Sequence, residues 1–88
     1  MVRFKAGDIV EIVNYWNQDT ELFEDGVVLI IDHNTITNYT KTGAYLMRLL
    51  KGSFSSCVYN SHSFDNLPYL VWLGNINENK ALRLLYGA

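Results

Sequence analysis

Residues 25–34 read DGVVLIIDHN, five apolar residues in a row between turn formers. Val27, Val28, Ile30 and Ile31 are β-branched, the side-chain type that fits a pleated surface. The run is too short for a helix that buries all its faces. Gly26 closes it on one side and Asp32, His33 and Asn34 on the other. The pattern predicts a central strand buried on both faces, with the other strands built around it.

The rest of the chain supplies those strands. Val10 and Ile12 alternate with Ile9, Glu11 and Val13, which predicts a first strand over residues 8–15. Residues 17–26, NQDTELFEDG, form a long polar connection holding four of the nine acids, and Leu22 and Phe23 are expected to pin it to the core. Residues 33–43, HNTITNYTKTG, are rich in Thr and Asn and read as a loop. Residues 44–51, AYLMRLLK, and 54–59, FSSCVY, read as a strand–turn–strand hairpin, with Gly52 in the turn. Pro68 bars helix at Leu67, and residues 69–73, YLVWL, form a further strand with Leu70 and Trp72 toward the core. Two readings fit the tail. A helix capped by Asn77 would carry Ala81, Leu82, Leu85 and Tyr86 as one stripe, whereas Leu82, Leu84 and Tyr86 also alternate as a strand; the strand is preferred. Arg48, Leu49 and Leu50 echo Arg83, Leu84 and Leu85, a similarity that Leu-rich chains produce by chance.

A chain of 88 residues has room for one domain and one core. Apolar residues make up 49% and charged residues only 18%, against about 25% in an average soluble domain. That shortage leaves apolar or neutral polar surface outside, and burial in an oligomer is one natural solution. The net charge of −2 and the scattered cations argue against a basic nucleic-acid face. Cys57 is the only cysteine, so no intrachain disulfide forms, which suits a reducing cytosol. The N-terminus, MVRFKAGD, lacks a signal-peptide apolar region, and no apolar run reaches the ~20 residues of a membrane span. A cytoplasmic protein is expected.

Phe4, Lys5, Gly7, Asp8 and Val10, followed by Gly26, Val27 and Val28, resemble the opening of SH3-like small barrels. There a K-x-G-D-x-V segment enters the first strand and a G-x-V segment enters the second after a long loop. Tyr69, Val71 and Trp72 resemble a later strand of such domains. Many short proteins of tailed bacteriophages look similar. The resemblance covers about half the chain, and residues 33–68 depart from the usual plan. It implies an all-β fold, a small SH3-like barrel of 5–6 antiparallel strands over residues 1–88, with a short C-terminal helix as the variant.

Catalytic constellations are not visible in the sequence. The six glycines are widely separated, so no phosphate-binding loop exists. One cysteine and two histidines offer few soft metal ligands. Asp32, His33, Cys57, His62 and Asp65 could meet as a metal site or a Cys/His pair only if the fold joined them; as loop histidines and a buried thiol they need no function. The chain is therefore read as a non-enzyme without cofactor or metal. By the resemblance, the aromatics beside the acidic loop form a contact surface made of Tyr15, Trp16, Glu21, Phe23 and Tyr39; ordinary core and rim packing is the competing account. Aromatics concentrate at the energetic centres of interfaces because they bury large area at low entropy cost. The function expected is a non-catalytic interaction or structural accessory module of phage type, binding a protein partner or its own copies. The alternative is a protein that sequesters a small nucleotide-like ligand at a subunit interface. Nucleic-acid binding through strands and aromatics is opposed by the acidic balance.

Overall fold

A computed structural model of the chain describes residues 4–17, 21–52, 58–60 and 70–87. The fold is mostly β, with antiparallel strands and short helices. Among the described residues the strands are β1 (Asp8–Ile12), β2 (Tyr15–Asn17), β3 (Leu22–Glu24), β4 (Val27–Ile31), β5 (Ala44–Leu46), β6 (Arg48–Lys51), β7 (Val58–Asn60) and β8 (Leu70–Asn75), and the helices are α1 (His33–Thr42) and α2 (Lys80–Tyr86). A four-stranded sheet has the order β6-β4-β1-β8, and β2-β3 and β5-β7 form two-stranded ladders.

The run 27–31 is the inner strand it was expected to be, and all five of its residues are buried. Val27, Leu29 and Ile31 join Val10, Ile12, Tyr45 and Met47 on one face, with Ile36 and Tyr39 of α1 packed against them. Val28 and Ile30 join Ile9 on the other, beneath Leu82 and Tyr86 of α2. Each Val, Leu or Ile so enclosed contributes about 1.5–3 kcal/mol. The sheet thus lies between two covers of unequal make: α1 with β5 on one side and α2 on the other.

The entry to β1 is tied down by its own backbone. Gly7 stands at φ +96°, and its N–H donates to the Ile31 carbonyl at 2.7 Å. The buried Asp8 carboxylate accepts from the Lys5 N–H at 3.0 Å and from the Asn75 side-chain amide at 2.9 Å. A Cβ on residue 7 would stand 2.6 Å from the Asn77 amide, so glycine is required there for packing as well as for backbone conformation.

Residues 33–43 were expected as a loop, but His33–Thr42 form helix α1 and Gly43 caps it. Thr and Asn are poor interior helix formers because their side chains compete for the backbone. Here that competition is resolved in favour of the helix. Asp32 accepts from the Thr35 N–H at 2.9 Å, and the Thr35 hydroxyl accepts from the Asp32 N–H in return, a closed capping box. Thr37, Thr40 and Thr42 each donate to the carbonyl four residues earlier. Gly43, at φ +74°, ends the helix with its N–H on the Tyr39 carbonyl. Thr35 is fully buried, and its hydroxyl donates to the Leu46 carbonyl at 2.7 Å, which pins the helix to β5.

The tail is helical too, so the preferred strand is corrected. The cap is Asn79, whose side chain accepts from the Leu82 N–H, and the inward stripe is Leu82 and Tyr86, leaving Leu85 outside. The Arg-Leu-Leu echo therefore falls on a strand in one place and a helix in the other, and marks no repeat. The segment 44–51 breaks at Met47. Its first part pairs with β7, Tyr45 opposite Tyr59, in the antiparallel sense of the expected hairpin; its second part leaves to pair with β4. Trp72 was expected in the core and is 58% exposed. It stands opposite Val10, on the margin of the sheet, where the cover from α1, Tyr45 and Met47 does not reach. Leu73 follows on the α2 side by alternation, and a bulge there brings Ile9 opposite Gly74. Among the described residues no helix is long and apolar enough to cross a membrane.

Candidate functional site

The polar connection 17–26 proves to be half of a hairpin. β1 pairs with β4 from Asp8 opposite Ile31 to Ile12 opposite Val27. The same register resumes with Tyr15 opposite Glu24, Trp16 opposite Phe23 and Asn17 opposite Leu22. The ladder is interrupted only at residues 13–14 and 25–26. Each side of the break holds one left-handed residue, Asn14 at φ +51° and Gly26 at φ +72°. Two bonds hold the break together. The Asp25 carboxylate accepts from the Asn14 N–H at 3.0 Å, and the Gly26 N–H donates to the Ile12 carbonyl at 2.8 Å. Asp25 is therefore the residue that shapes the joint, and Asn tolerates the left-handed conformation better than most.

Beyond the joint, directly opposite residues share a face. Tyr15 and Glu24 look inward: Tyr15 packs against the main core, and Glu24 is buried. Trp16 and Phe23 look outward as a cross-strand aromatic pair, 53% and 59% exposed. Phe23 thus does not pin this segment to the core; its opposite face, through Tyr15, does. Glu21 lies exposed at the start of the returning strand, at φ +55°. Residues 14–26 contain four of the nine acids and none of the seven cations, which leaves seven cations against five acids elsewhere. The outcome is an aromatic pair on an arm of uniformly negative charge.

Of the five residues expected to form a contact surface, Trp16, Glu21 and Phe23 are exposed on this arm. Tyr15 belongs to the arm's inner face. Tyr39 belongs to α1, where its ring stacks on Tyr45 at 4.5 Å with an interplanar angle of 25°; it is a wall of the core.

Sequence reasoning missed further exposed apolar side chains on other elements, Leu46 and Leu49 among them. Val71 and Trp72 on β8, and Leu84 and Leu85 on α2, face outward. The signal for Leu84 was its place two residues from both Leu82 and Tyr86, on the opposite side of the helix; Leu85, three residues after Leu82, gave none. Asp32 and His33 serve the start of α1, Asp32 as its cap, while Cys57, His62 and Asp65 lie outside the described residues. Among the described residues no group of three or more His, Cys, Asp or Glu side chains could hold a metal ion. Compared with family models, with curated proteins and with solved structures, the chain matches none of them, so its function is read from the geometry of the arm.

Proposed function

We propose that the chain is a non-catalytic interaction module whose contact surface is the outer half of the first hairpin. One observation carries the reading. Trp16 and Phe23 stand opposite each other on the outward face, each more than half exposed, while the inward face of the same strands is anchored by Tyr15 and Glu24. An aromatic pair held on a braced ladder presents large apolar area with little conformational freedom left to lose, which is what interface anchors require.

The finer architecture belongs to the same proposal. The chain is a variant of the SH3-like small barrel in which α1 occupies the departure after the second long strand. The Lys5, Gly7 and Asp8 turn and the long first hairpin support this reading. With it comes the accessory or structural role of short tailed-bacteriophage proteins, in the host cytoplasm or the virion.

The test compares the wild-type chain with the double variant Trp16→Ala, Phe23→Ala. Complex formation is followed by size exclusion with light scattering and by affinity capture from host extract, and folding by circular dichroism. The expected result is an unchanged spectrum with loss of the complex. A complex that forms equally well with the variant removes the arm as the contact surface.

A further inference from the structure

We propose that the arm docks on the outer face of α2 of a second copy, so that copies associate head to tail. The inference rests on the reading of the arm as a contact surface and adds what it contacts.

Helix α2 is the complement of the arm in charge and in apolar content. Leu84 and Leu85 are 78% and 72% exposed, the highest values among the exposed large apolar residues. Lys80 and Arg83 are exposed on the same seven-residue helix, which contains no acid. The nearest acid, Glu78, is held by Lys5 at 2.6 Å. Neither Lys80 nor Arg83 takes part in an ion pair among the described residues; Arg83 spends one N–H on the Ile76 carbonyl. The face therefore offers leucines for Trp16 and Phe23, and cations for the exposed Glu21 and Asp25.

Topology keeps the two surfaces on different parts of the molecule, the arm beyond one end of the sheet and α2 over one of its faces. β1 runs from Asp8 to Ile12 and passes into the arm. β8 runs antiparallel to it, from Leu70 beside Ile12 to Asn75 beside Asp8, and leads to α2. A twofold contact through the arm would set acids against acids, and one through α2 would set cations against cations. Pairing arm with helix matches opposite charges. Made one way only, it leaves a free arm on one copy and a free helix on the other, so the contact repeats; made reciprocally by two copies, it would close a dimer.

The size of the anchor sets the strength. Slightly more than half of two aromatic side chains amounts to roughly 160–280 Å², against about 800 Å² per partner in a standard stable interface. Association is accordingly weak, dependent on concentration, and reduced as salt screens the charges.

The test is sedimentation velocity over a concentration series with two variants of the full chain. The arm variant is Trp16→Ala, Phe23→Ala, and the helix variant is Leu84→Ala, Leu85→Ala. Wild type is expected to rise in mass beyond a dimer and to fall back in about 1 M salt. Each variant alone stays monomeric. An equimolar mixture stops at a dimer, because one variant contributes only its helix and the other only its arm. Glu21→Lys and Lys80→Glu, both surface changes, form the second pair: each alone weakens association, and mixing them restores a contact between the two reversed charges. A wild type that stays monomeric or stops at a dimer, or a mixture that stays monomeric while wild type associates, overturns the head-to-tail contact. If the helix variant associates like wild type and the arm variant does not, the α2 assignment falls and the arm survives as a contact surface. If the arm variant associates like wild type, both fall.

Discussion

The two halves of the first hairpin share one register and have opposite fates. From Asp8 to Ile12 the ladder is enclosed, and its partner strand β4 exposes nothing. From Tyr15 to Asn17 the same ladder continues, yet Trp16 and Phe23 lie open. Composition alone does not separate them, since both halves carry large apolar side chains. What separates them is cover. The inner half has α1 and β5 on one face and α2 on the other. The outer half has a core-facing side through Tyr15 and a bare outer side. The joint between them, with its two left-handed residues, marks where burial ends. An apolar residue paired within a sheet is thus a core residue only where a second layer reaches it.

The sharpest contrast is between truncations in the two halves. Leu29→Ala should cost about 2–5 kcal/mol and Tyr45→Ala about 3–5 kcal/mol in urea unfolding, because both side chains are fully buried. Phe23→Ala should stay within about 0.5 kcal/mol. Equal losses would erase the distinction between the halves.

The cover on the inner half has its own weak point at Thr35. Thr35→Val keeps the volume and deletes the bond to the Leu46 carbonyl. Losing that bond together with the capping-box bond that the hydroxyl accepts from the Asp32 N–H costs about 1–3 kcal/mol, seen as a lower urea midpoint with unchanged slope.

The joint is tested by Gly26→Ala. No atom lies within 4 Å of the added Cβ, so the whole cost is the left-handed backbone, about 1–2 kcal/mol. A larger loss would mean that the joint is packed and not merely turned.

Asp32→Ala should cost about 1 kcal/mol by removing the α1 cap, read as a fall in thermal midpoint. The smallest effect is at the Lys5–Glu78 pair. The hydrogen bond and the charge of Glu78 hold the Lys5 ammonium above its ordinary value of 10.5. A raised folded pKa gives stability that is fully present below 10.5 and lost as pH climbs through the raised value. Lys5→Gln should therefore be slightly less stable than wild type by a constant amount between pH 7 and 9, and the gap should close in more alkaline solution as wild type loses the same contribution.

Much of the frame was legible in the residues. The run 27–31 identified itself because five apolar residues between turn formers have one economical use. The entry turn was visible in Gly7 and Asp8, and the β5–β7 pairing in the alternation around Tyr45. Helix α1 was hidden because Thr and Asn report local preference, whereas the helix is decided by its ends and by Thr35 bonding to β5. Asp32 and Gly43, set ten residues of helix apart, were the available signal. Trp72 was misplaced because alternation gives the face of a strand and not the extent of the layer above it. For the candidate site, which the resemblance suggested, Trp16, Glu21 and Phe23 are exposed, although Phe23 was also expected to pin the segment to the core. Tyr15 and Tyr39 were grouped with them although strand parity and ring stacking turn both toward the core.

Residue-resolved amide hydrogen exchange at low and high protein concentration tests the division most directly. Amides of Asp8–Ile12 and Val27–Ile31 should exchange only by global unfolding, at either concentration. Those of Tyr15–Asn17 and Leu22–Glu24 should exchange faster in dilute solution and gain protection as concentration rises. Arm amides as protected as those of β4 in dilute solution would contradict the account.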